Sequence, residues 1–196
     1  MRPRTKPAET RRDDLMNASE HLFLSQGIAR TTIEQITARA GVAKGTFYLY
    51  FSSKDDVLAA LAGRFAVQLL DKIKRAVAKE STNNWRGKLE AWAKACVTGY
   101  LDSIRLHDVL FYGSRPRTRE GLIDNIVIDH LTALLAAGVD AAAWSLDDPH
   151  VTAVFLFSGL HAGVDDAYAK EKRVNRIRLS QRLQRLCSGA VGLPAD

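Results

Sequence analysis

The 196-residue sequence predicts an all-α protein with two helical domains. Three observations lead to this fold class. Apolar residues recur at three- and four-residue spacing along most of the chain. Capping residues and Gly or Pro stops divide the chain into about nine helical segments. Nowhere do apolar and polar residues alternate as they would in a half-buried strand.

The composition indicates a globular protein that stays in the cytoplasm. Hydrophobic residues make up 46% of the chain and charged residues 26%, which is typical of soluble domains. Cys96 and Cys187 are the only cysteines and form no CxxC pair, so we expect reduced thiols. The N-terminus lacks the apolar stretch of a signal peptide, and the run "VTAVFLFSGLHAGV" is too short to cross a bilayer. The sequence therefore predicts no membrane partner.

The chain is basic, with 28 Lys and Arg against 22 Asp and Glu and a formal charge of +6. This charge alone fits nucleic-acid, ribosome-associated or membrane-surface proteins, as well as proteins that are merely soluble. Its distribution is more informative, because residues 1–54 carry nine basic against five acidic side chains. The final helix is also basic, and a solvated outer face is its default interpretation.

The first two helices are marked by caps and by glycine stops. The first is predicted to begin at Thr10, which has an acidic residue three positions later, and to end at Gly27. The second lies in "TTIEQITARAG", where Thr31 and Glu34 fit the S/T-x-x-E capping box and Gly41 ends the helix.

A short third helix and a long fourth helix follow. Residues 44–51 allow only about two turns, so this helix needs packing against the first two. Ser53 is predicted to cap the long helix, and Asp55 and Asp56 in its first turn complement the helix dipole. Further helices are predicted over about 85–104, 118–137, 149–169 and 171–187, with a short turn at 106–112.

Two short helices joined by a Gly-containing turn form the pattern of a helix-turn-helix, whose second helix enters the DNA major groove. Lys44 at the start of that helix can reach a guanine edge or a phosphate, and Thr46, Tyr48 and Tyr50 offer hydroxyl groups. A solvated lysine and packed tyrosines are the plain structural alternatives.

The stretch "TTIEQITARAGVAKGTFYLYFSSKDDVL" resembles the DNA-binding signature of tetracycline-repressor-type (TetR) transcriptional regulators. The resemblance covers roughly residues 10–58 and includes the paired threonines, the AGV turn, G-T-F-Y and S-K-D in that order. It implies a helix-turn-helix domain over 10–53 and a helical regulatory and dimerisation domain over 54–190. Residues 1–9 are predicted to be a flexible basic arm. Its Arg2, Arg4 and Lys6 either contact DNA or form a solubilising tail.

The resemblance also implies which residues contact double-stranded DNA. Phosphate contacts are implied for Thr31, Thr32, Thr46, Tyr50 and Lys54. Base-edge contact falls mainly to Lys44, with Ala43, Gly45 and Tyr48 also facing the groove. Ala43 departs from the family's usual Ser or Thr cap, so we expect a DNA phosphate or water at this helix N-terminus instead.

The second domain is predicted to enclose an unidentified small-molecule effector. Aromatic residues at helical spacing usually form core, but the resemblance implies a pocket within this domain. The candidate pocket residues are Trp92, Tyr100, Phe111, Tyr112 and Phe155.

The last two helices combine apolar bulk with small residues that allow close helix approach. Such a surface either packs internally or forms an isologous dimer seam, and the resemblance favours a homodimer. The candidate dimer residues are Val151, Phe155, Ser158, Gly159, Ala162 and Gly163.

Catalytic and metal chemistry have little support in the sequence. His107 beside Asp108, and His161 four residues before Asp165, can bind a metal or orient a ligand, yet no third ligand is suggested. No nucleophile, base and orienting group converge, and no Gly-rich phosphate loop is present. We therefore predict no metal, no cofactor and no enzymatic activity.

The predicted function is that of a transcriptional repressor released from a palindromic operator when an effector binds, with the long helix from Ser53 carrying the movement. One alternative is a ligand-independent or architectural DNA-binding protein. A second is a small-molecule-binding helical protein with a vestigial DNA domain, and an enzyme is a distant third.

Overall fold

The computed structural model describes residues 8–111, 125–171 and 173–194. Within these ranges the chain forms nine helices and no strand, which confirms the predicted all-α fold class. The helices are α1 (Ala8–Gln26), α2 (Ile33–Ala40), α3 (Lys44–Phe47), α4 (Lys54–Val77), α5 (Trp85–Asp102), α6 (Ile104–Phe111), α7 (Ile126–Asp140), α8 (Pro149–Lys170) and α9 (Arg176–Ala190). Arg2, Arg4, Lys6 and Tyr112 lie outside the described residues.

The chain divides into two compact units, and the division falls within α4. Residues 8–65 and 104–111 belong to the first unit, and residues 66–103 belong to the second with the described residues from 125 onward. The first unit therefore extends beyond the predicted boundary at residue 53. Arg64 ties the start of α4 to α1, with Nη1 donating to Asn17 Oδ1 at 2.8 Å and Nη2 donating to Glu20 Oε2 at 2.7 Å.

The core of the first unit is built from the inward faces of α1, α2, α3 and the start of α4. Its fully or almost fully buried side chains are Leu15, Met16, Phe23, Ile36, Phe47, Phe51, Val57, Leu58 and Leu61. Of the segment 106–112, predicted as a turn, residues 106–111 instead belong to the helix α6. Arg105 Nη2 donates to the Leu24 carbonyl at 3.1 Å and so joins α6 to α1.

In the second unit, α5 packs against α8 and α9, and α7 packs against α8. Gly163 allows the approach of α9, because a Cβ atom there would lie 2.7 Å from a methyl carbon of Leu183. Trp92 on α5 is the largest fully buried side chain among the described residues, and aliphatic residues of α7 and α8 also contribute to the core.

Several helix ends differ from the prediction. Asn175 accepts from the Arg178 amide at 3.0 Å, so α9 begins at Arg176 rather than near residue 171. Asn125 likewise caps α7. Thr10 caps nothing, since α1 is already helical at Ala8. Ser53 was predicted correctly, because its hydroxyl accepts from the Asp56 amide at 3.2 Å.

In the part of the chain that the structure describes, no helix combines the length and the apolarity that a membrane span requires.

Candidate nucleic-acid interface

The candidate interface begins at Thr32, which caps α2. The Thr32 hydroxyl accepts from the Gln35 amide at 3.2 Å, and the Thr32 amide donates to Gln35 Oε1 at 2.9 Å. These two bonds form a capping box. The predicted box of Thr31 with Glu34 is therefore wrong by one residue, because Thr32 has the extended backbone of an N-cap.

Thr31 is a structural residue of the turn between α1 and α2. Only 1% of its surface is exposed. Its hydroxyl donates to the Gly27 carbonyl at 2.8 Å and lies 3.3 Å from the Nε2 donor of Gln26. The structure thus places Thr31 inside the domain, away from the surface where a phosphate contact was predicted.

A tight turn carries the chain from α2 into α3. Gly41 ends α2 in the left-handed conformation with φ of 66°, where a side chain would be strained. The Val42 amide donates to the Thr37 carbonyl at 3.0 Å. Ala43 then occupies the N-cap position of α3 without any side-chain hydrogen bond, as the sequence predicted.

The helix α3 is shorter than predicted and depends on one buried aromatic. It spans four residues, and the chain continues through a turn in which the amides of Tyr50 and Phe51 both donate to the Phe47 carbonyl at 3.0 Å. Phe47 is fully buried, and its ring lies 5.8 Å from that of Phe51. Because α3 has one helical turn and not the predicted two, its stability comes from the packing of Phe47.

The residues around Phe47 form the exposed surface of α3 and its turn. Lys44 and Gly45 are exposed, Thr46 and Tyr50 are half-buried, and Tyr48 is 53% exposed. Leu49 is 76% exposed and was not predicted as a site residue. An exposed leucine beside predicted DNA contacts has no polar sequence signal, although its methyl groups suit contact with a thymine methyl.

Lys44 is paired in the free protein. Its Nζ atom lies 2.5 Å from Oε1 of Glu34 in the first turn of α2. The hydrogen bond from Lys44 holds the pKa of Glu34 below its usual value, and the same bond raises the pKa of Lys44. Both side chains therefore stay charged near neutral pH.

Lys54 serves a local structural role at the start of α4. Its Nζ atom donates to the Ile28 carbonyl at 2.8 Å and to the Thr31 carbonyl at 2.7 Å. An ammonium group has three donors, so one remains for a further acceptor. Lys54 thus holds the turn before α2 in place. Its remaining donor is the one available for the predicted phosphate contact.

A comparison with known protein families finds a match within the first unit. The family model described as bacterial regulatory proteins, tetR family, matches residues 15–61. That range contains α2, α3 and the turn between them. Residues 15–61 thus form a tetR-type domain. The resemblance predicted from the sequence is thereby confirmed.

Among the first curated relatives, the match covers between 27% and 52% of this chain. The uncharacterized HTH-type transcriptional regulator YvdT of Bacillus subtilis is 37% identical over 62 residues, which are 32% of this chain and 32% of the relative. The alignment therefore spans about a third of that relative's length, and its remaining length is not matched.

Solved structures share the fold over almost the whole chain. The fatty acid degradation regulator FadR from Bacillus halodurans has a TM-score of 0.75 and 22% identity, covering 98% of this chain and 100% of that one. A complex of SmeT with triclosan has a TM-score of 0.68 and 21% identity, covering 95% and 96%. SmeT is described as the repressor of a Stenotrophomonas maltophilia multidrug efflux pump. At these identities the likeness shows the fold.

The structure describes four of the five predicted pocket residues. Trp92 and Tyr100 are buried on α5, and the Tyr100 hydroxyl donates to Asp165. Phe111 lies in the first unit, with its ring 4.7 Å from that of His107. Phe155 is 70% exposed, which does not suit the wall of an interior pocket.

A different cleft is present on the second unit. It has a volume of about 570 Å³ and is open to solvent. Its lining comes from the end of α4, the following loop, α5 and α9, and includes Lys79, Glu80, Glu90, Lys94 and Gln184. None of the predicted pocket residues that the structure describes lines this cleft.

The two His–Asp pairs were considered as possible metal ligands in the sequence. Among the described residues, no three His, Cys, Asp or Glu side chains are grouped so that they can hold an ion. His161 Nδ1 lies 2.9 Å from the Phe157 carbonyl, and the His161 ring lies 5.0 Å from that of Tyr100.

Most of the predicted dimer residues lie on the solvent side of α8. Val151, Phe155, Ser158, Gly159 and Ala162 are exposed, and Gly163 is half-buried against Leu183. On α9, Ile177 and Leu186 are also exposed. Val151 and Phe155 are four residues apart on one face of α8, and this face offers an apolar surface that a partner can cover.

Proposed function

We propose that the chain is a sequence-specific DNA-binding transcriptional regulator that acts as a homodimer and represses transcription until a small-molecule effector binds. The observation that supports DNA binding best is that α3 has one side buried in the core and one side exposed. Phe47 anchors this one-turn helix in the core, while Lys44, Gly45 and Tyr48 remain exposed. A helix that packs on the core through one face and exposes the other can enter the DNA major groove.

In this proposal, the residues of the tetR-type domain have two roles in DNA contact. Lys44 reads a base edge, with Ala43, Gly45 and Tyr48 beside it in the groove. Thr32, Thr46, Tyr50 and the free donor of Lys54 bind phosphates and set the orientation of the domain. Thr31 is left out, because its hydroxyl is buried and bonded within the turn.

The exposed surface of α8 and α9 supports the homodimer. Phe155 and Val151 are large apolar side chains with most of their surface in solvent, and small residues follow them along the same helix. Two copies of this surface, related by a two-fold axis, bury these side chains and present two recognition helices. The matching operator is a palindrome.

The second unit supports an effector site through Trp92. This side chain is fully buried, yet its indole N–H has no hydrogen-bond partner within the described residues. Native interiors leave few such donors unsatisfied, so an effector that carries an acceptor gains a hydrogen bond there. A structural neighbour, SmeT, is known in complex with triclosan, which supports a small-molecule ligand for this fold.

The decisive experiment is selection of binding sites from a random DNA pool by the purified full-length chain, at fixed salt because affinity depends on it. We expect enrichment of one palindrome whose half-sites are about one helical turn, or a multiple of it, apart. Failure to enrich any sequence, with a folded dimeric protein, would contradict the proposed regulator.

The selected duplex then serves to find the effector. Triclosan is the first compound to test, followed by other small apolar compounds that carry a hydrogen-bond acceptor. An effector must raise the melting temperature of the protein and lower its operator affinity, because it has to bind the two states differently. Trp92→Phe removes the unpaired donor and should weaken effector binding while leaving operator affinity unchanged.

A further inference from the structure

The ion pair between Glu34 and Lys44 lies on the surface proposed to meet DNA. Glu34 is in the first turn of α2, and Lys44 is the first residue of α3. The side chains are 61% and 56% exposed, respectively, so both can be approached by DNA. Neither helix needs the pair for its cap, since Thr32 and Gln35 cap α2 and Ala43 precedes α3.

Lys44 supplies the charge of the recognition segment, by which we mean residues 40–53 with α3 and its flanking turns. Between Arg39 and Lys54 the sequence contains no other charged side chain. The bond to Glu34 therefore decides whether this segment presents a free cation. In the free protein it presents a neutralised pair, with the two atoms 2.5 Å apart.

The Glu34 carboxylate provides the same kind of partner that DNA offers to a lysine. A phosphate oxygen or a guanine O6 or N7 atom is an acceptor for the same ammonium hydrogens. DNA must therefore compete with Glu34 for Lys44.

We propose that Glu34 is a specificity determinant that holds Lys44 away from phosphates and releases it to a base edge of the operator. This inference rests on the proposed function. On random DNA the domain is held by phosphate contacts alone, and Lys44 stays with Glu34. On the operator, a base-edge acceptor in the major groove replaces the carboxylate. Glu34 thus lowers non-specific affinity more than specific affinity.

The test compares Glu34→Gln with the unchanged protein on two duplexes, the selected operator and random-sequence DNA of equal length. The amide keeps the size of the side chain and removes its charge. On random DNA we expect tighter binding and a slope of log affinity against log salt that is steeper by about 0.9 per subunit, because Lys44 now displaces a counterion. Operator affinity should change less, so the ratio of the two affinities falls about threefold or more.

Two controls separate this role from a simple change of charge. Asp71→Asn removes a carboxylate that is paired with Arg75 on α4, in the second unit, and raises the net charge by the same amount. It should leave the salt slope and the affinity ratio unchanged. In the Lys44→Ala background, Glu34→Gln should no longer alter the slope, because its effect acts through Lys44.

The outcomes also distinguish this inference from the proposed function. If the unchanged protein selects an operator and Glu34→Gln behaves like Asp71→Asn, the role of Glu34 is wrong while the regulator stands. A gain in slope that persists without Lys44 would likewise overturn it. If the unchanged protein selects no sequence at all, the proposed function itself fails.

Discussion

The Nζ atom of Lys54 donates to the backbone carbonyl of Thr31 at 2.7 Å, across 23 residues of sequence. A second donor of the same group reaches the Ile28 carbonyl. One side chain at the start of α4 therefore satisfies two carbonyls of the turn that leads into α2. This contact makes the position of the helix-turn-helix dependent on Lys54.

Replacing Lys54 with Met should destabilise the first unit by about 1–3 kcal/mol, because two carbonyls lose charged donors while the side-chain stem is kept. Hydrogen exchange of the Thr31 and Thr32 amides measures the effect locally. Lys72→Met, at an exposed position of the same helix, is the matched control and should change neither amide. Weaker DNA binding with unchanged exchange would show that Lys54 acts only as a phosphate ligand.

Phe155 provides a test of the proposed dimer. Phe155→Lys places a charge on the exposed apolar surface of α8, where the proposed dimer would have to bury it. We expect the dimer dissociation constant to rise about thirtyfold or more, as for the loss of an interface hot spot. Sedimentation equilibrium measures this change.

Tyr168→Lys is the control for that experiment. Tyr168 is also exposed, but it lies about 140° around α8 from Phe155 by helical periodicity. It should leave the dimer intact. Equal sedimentation of both variants and the unchanged protein would place the dimer seam elsewhere.

Gly138 is expected to be intolerant of any side chain. A Cβ atom at this position would lie 2.1 Å from Cζ2 of Trp144, whose indole N–H donates to the Leu135 carbonyl at 2.8 Å. Gly138→Ala should therefore cost about 1–3 kcal/mol through overpacking. All three tryptophans, at positions 85, 92 and 144, lie in the second unit, so urea unfolding followed by their fluorescence reports this unit.

A glycine with open space around it gives the matched control. Gly189 lies in the last turn of α9, in the second unit, and a Cβ atom there would meet nothing within 4 Å. Gly189→Ala should not lower stability and should raise it by up to about 1 kcal/mol, since alanine is the better helix former. Equal effects of the two substitutions would contradict the role assigned to the indole of Trp144.

The two thiols should be inert in the folded protein. Burial raises the pKa of Cys96 and of Cys187 to about 12. At pH 8 the thiolate fraction is then on the order of one in ten thousand, and only the thiolate is nucleophilic. Iodoacetamide should label neither residue in native protein and both in urea, as read by mass spectrometry. Native labelling as fast as that of glutathione would show that the α5–α9 interior opens readily.

The sequence predicted the fold wherever the signal was local. Gly41 and Ser53 mark helix ends through their own backbone and side-chain chemistry, and both were found where expected. Thr31 and Thr32 show the limit, because either threonine has a Glu or Gln three residues later. Only the burial of Thr31 under α1 decides which one caps α2.

The candidate site was predicted in part for the same reason. The exposure of Lys44 and Tyr48 follows from the helical spacing of Phe47 and Phe51. The partners of Lys44 and Lys54 do not follow from it, since they lie 10 to 26 residues away and depend on how the helices pack. Leu49, which is exposed beside these residues, was not singled out because an exposed apolar residue carries no polar signal.

Phe47 and Phe51 anchor α3, and this anchoring determines which positions of the segment can be substituted during evolution without loss of the fold. These two buried rings hold the segment on the core. The residues that face outward are Lys44, Gly45, Tyr48 and Leu49. Surface substitutions of this kind usually alter stability little. New operator preferences are therefore accessible through single exchanges at the outward positions, with the fold kept intact at every step.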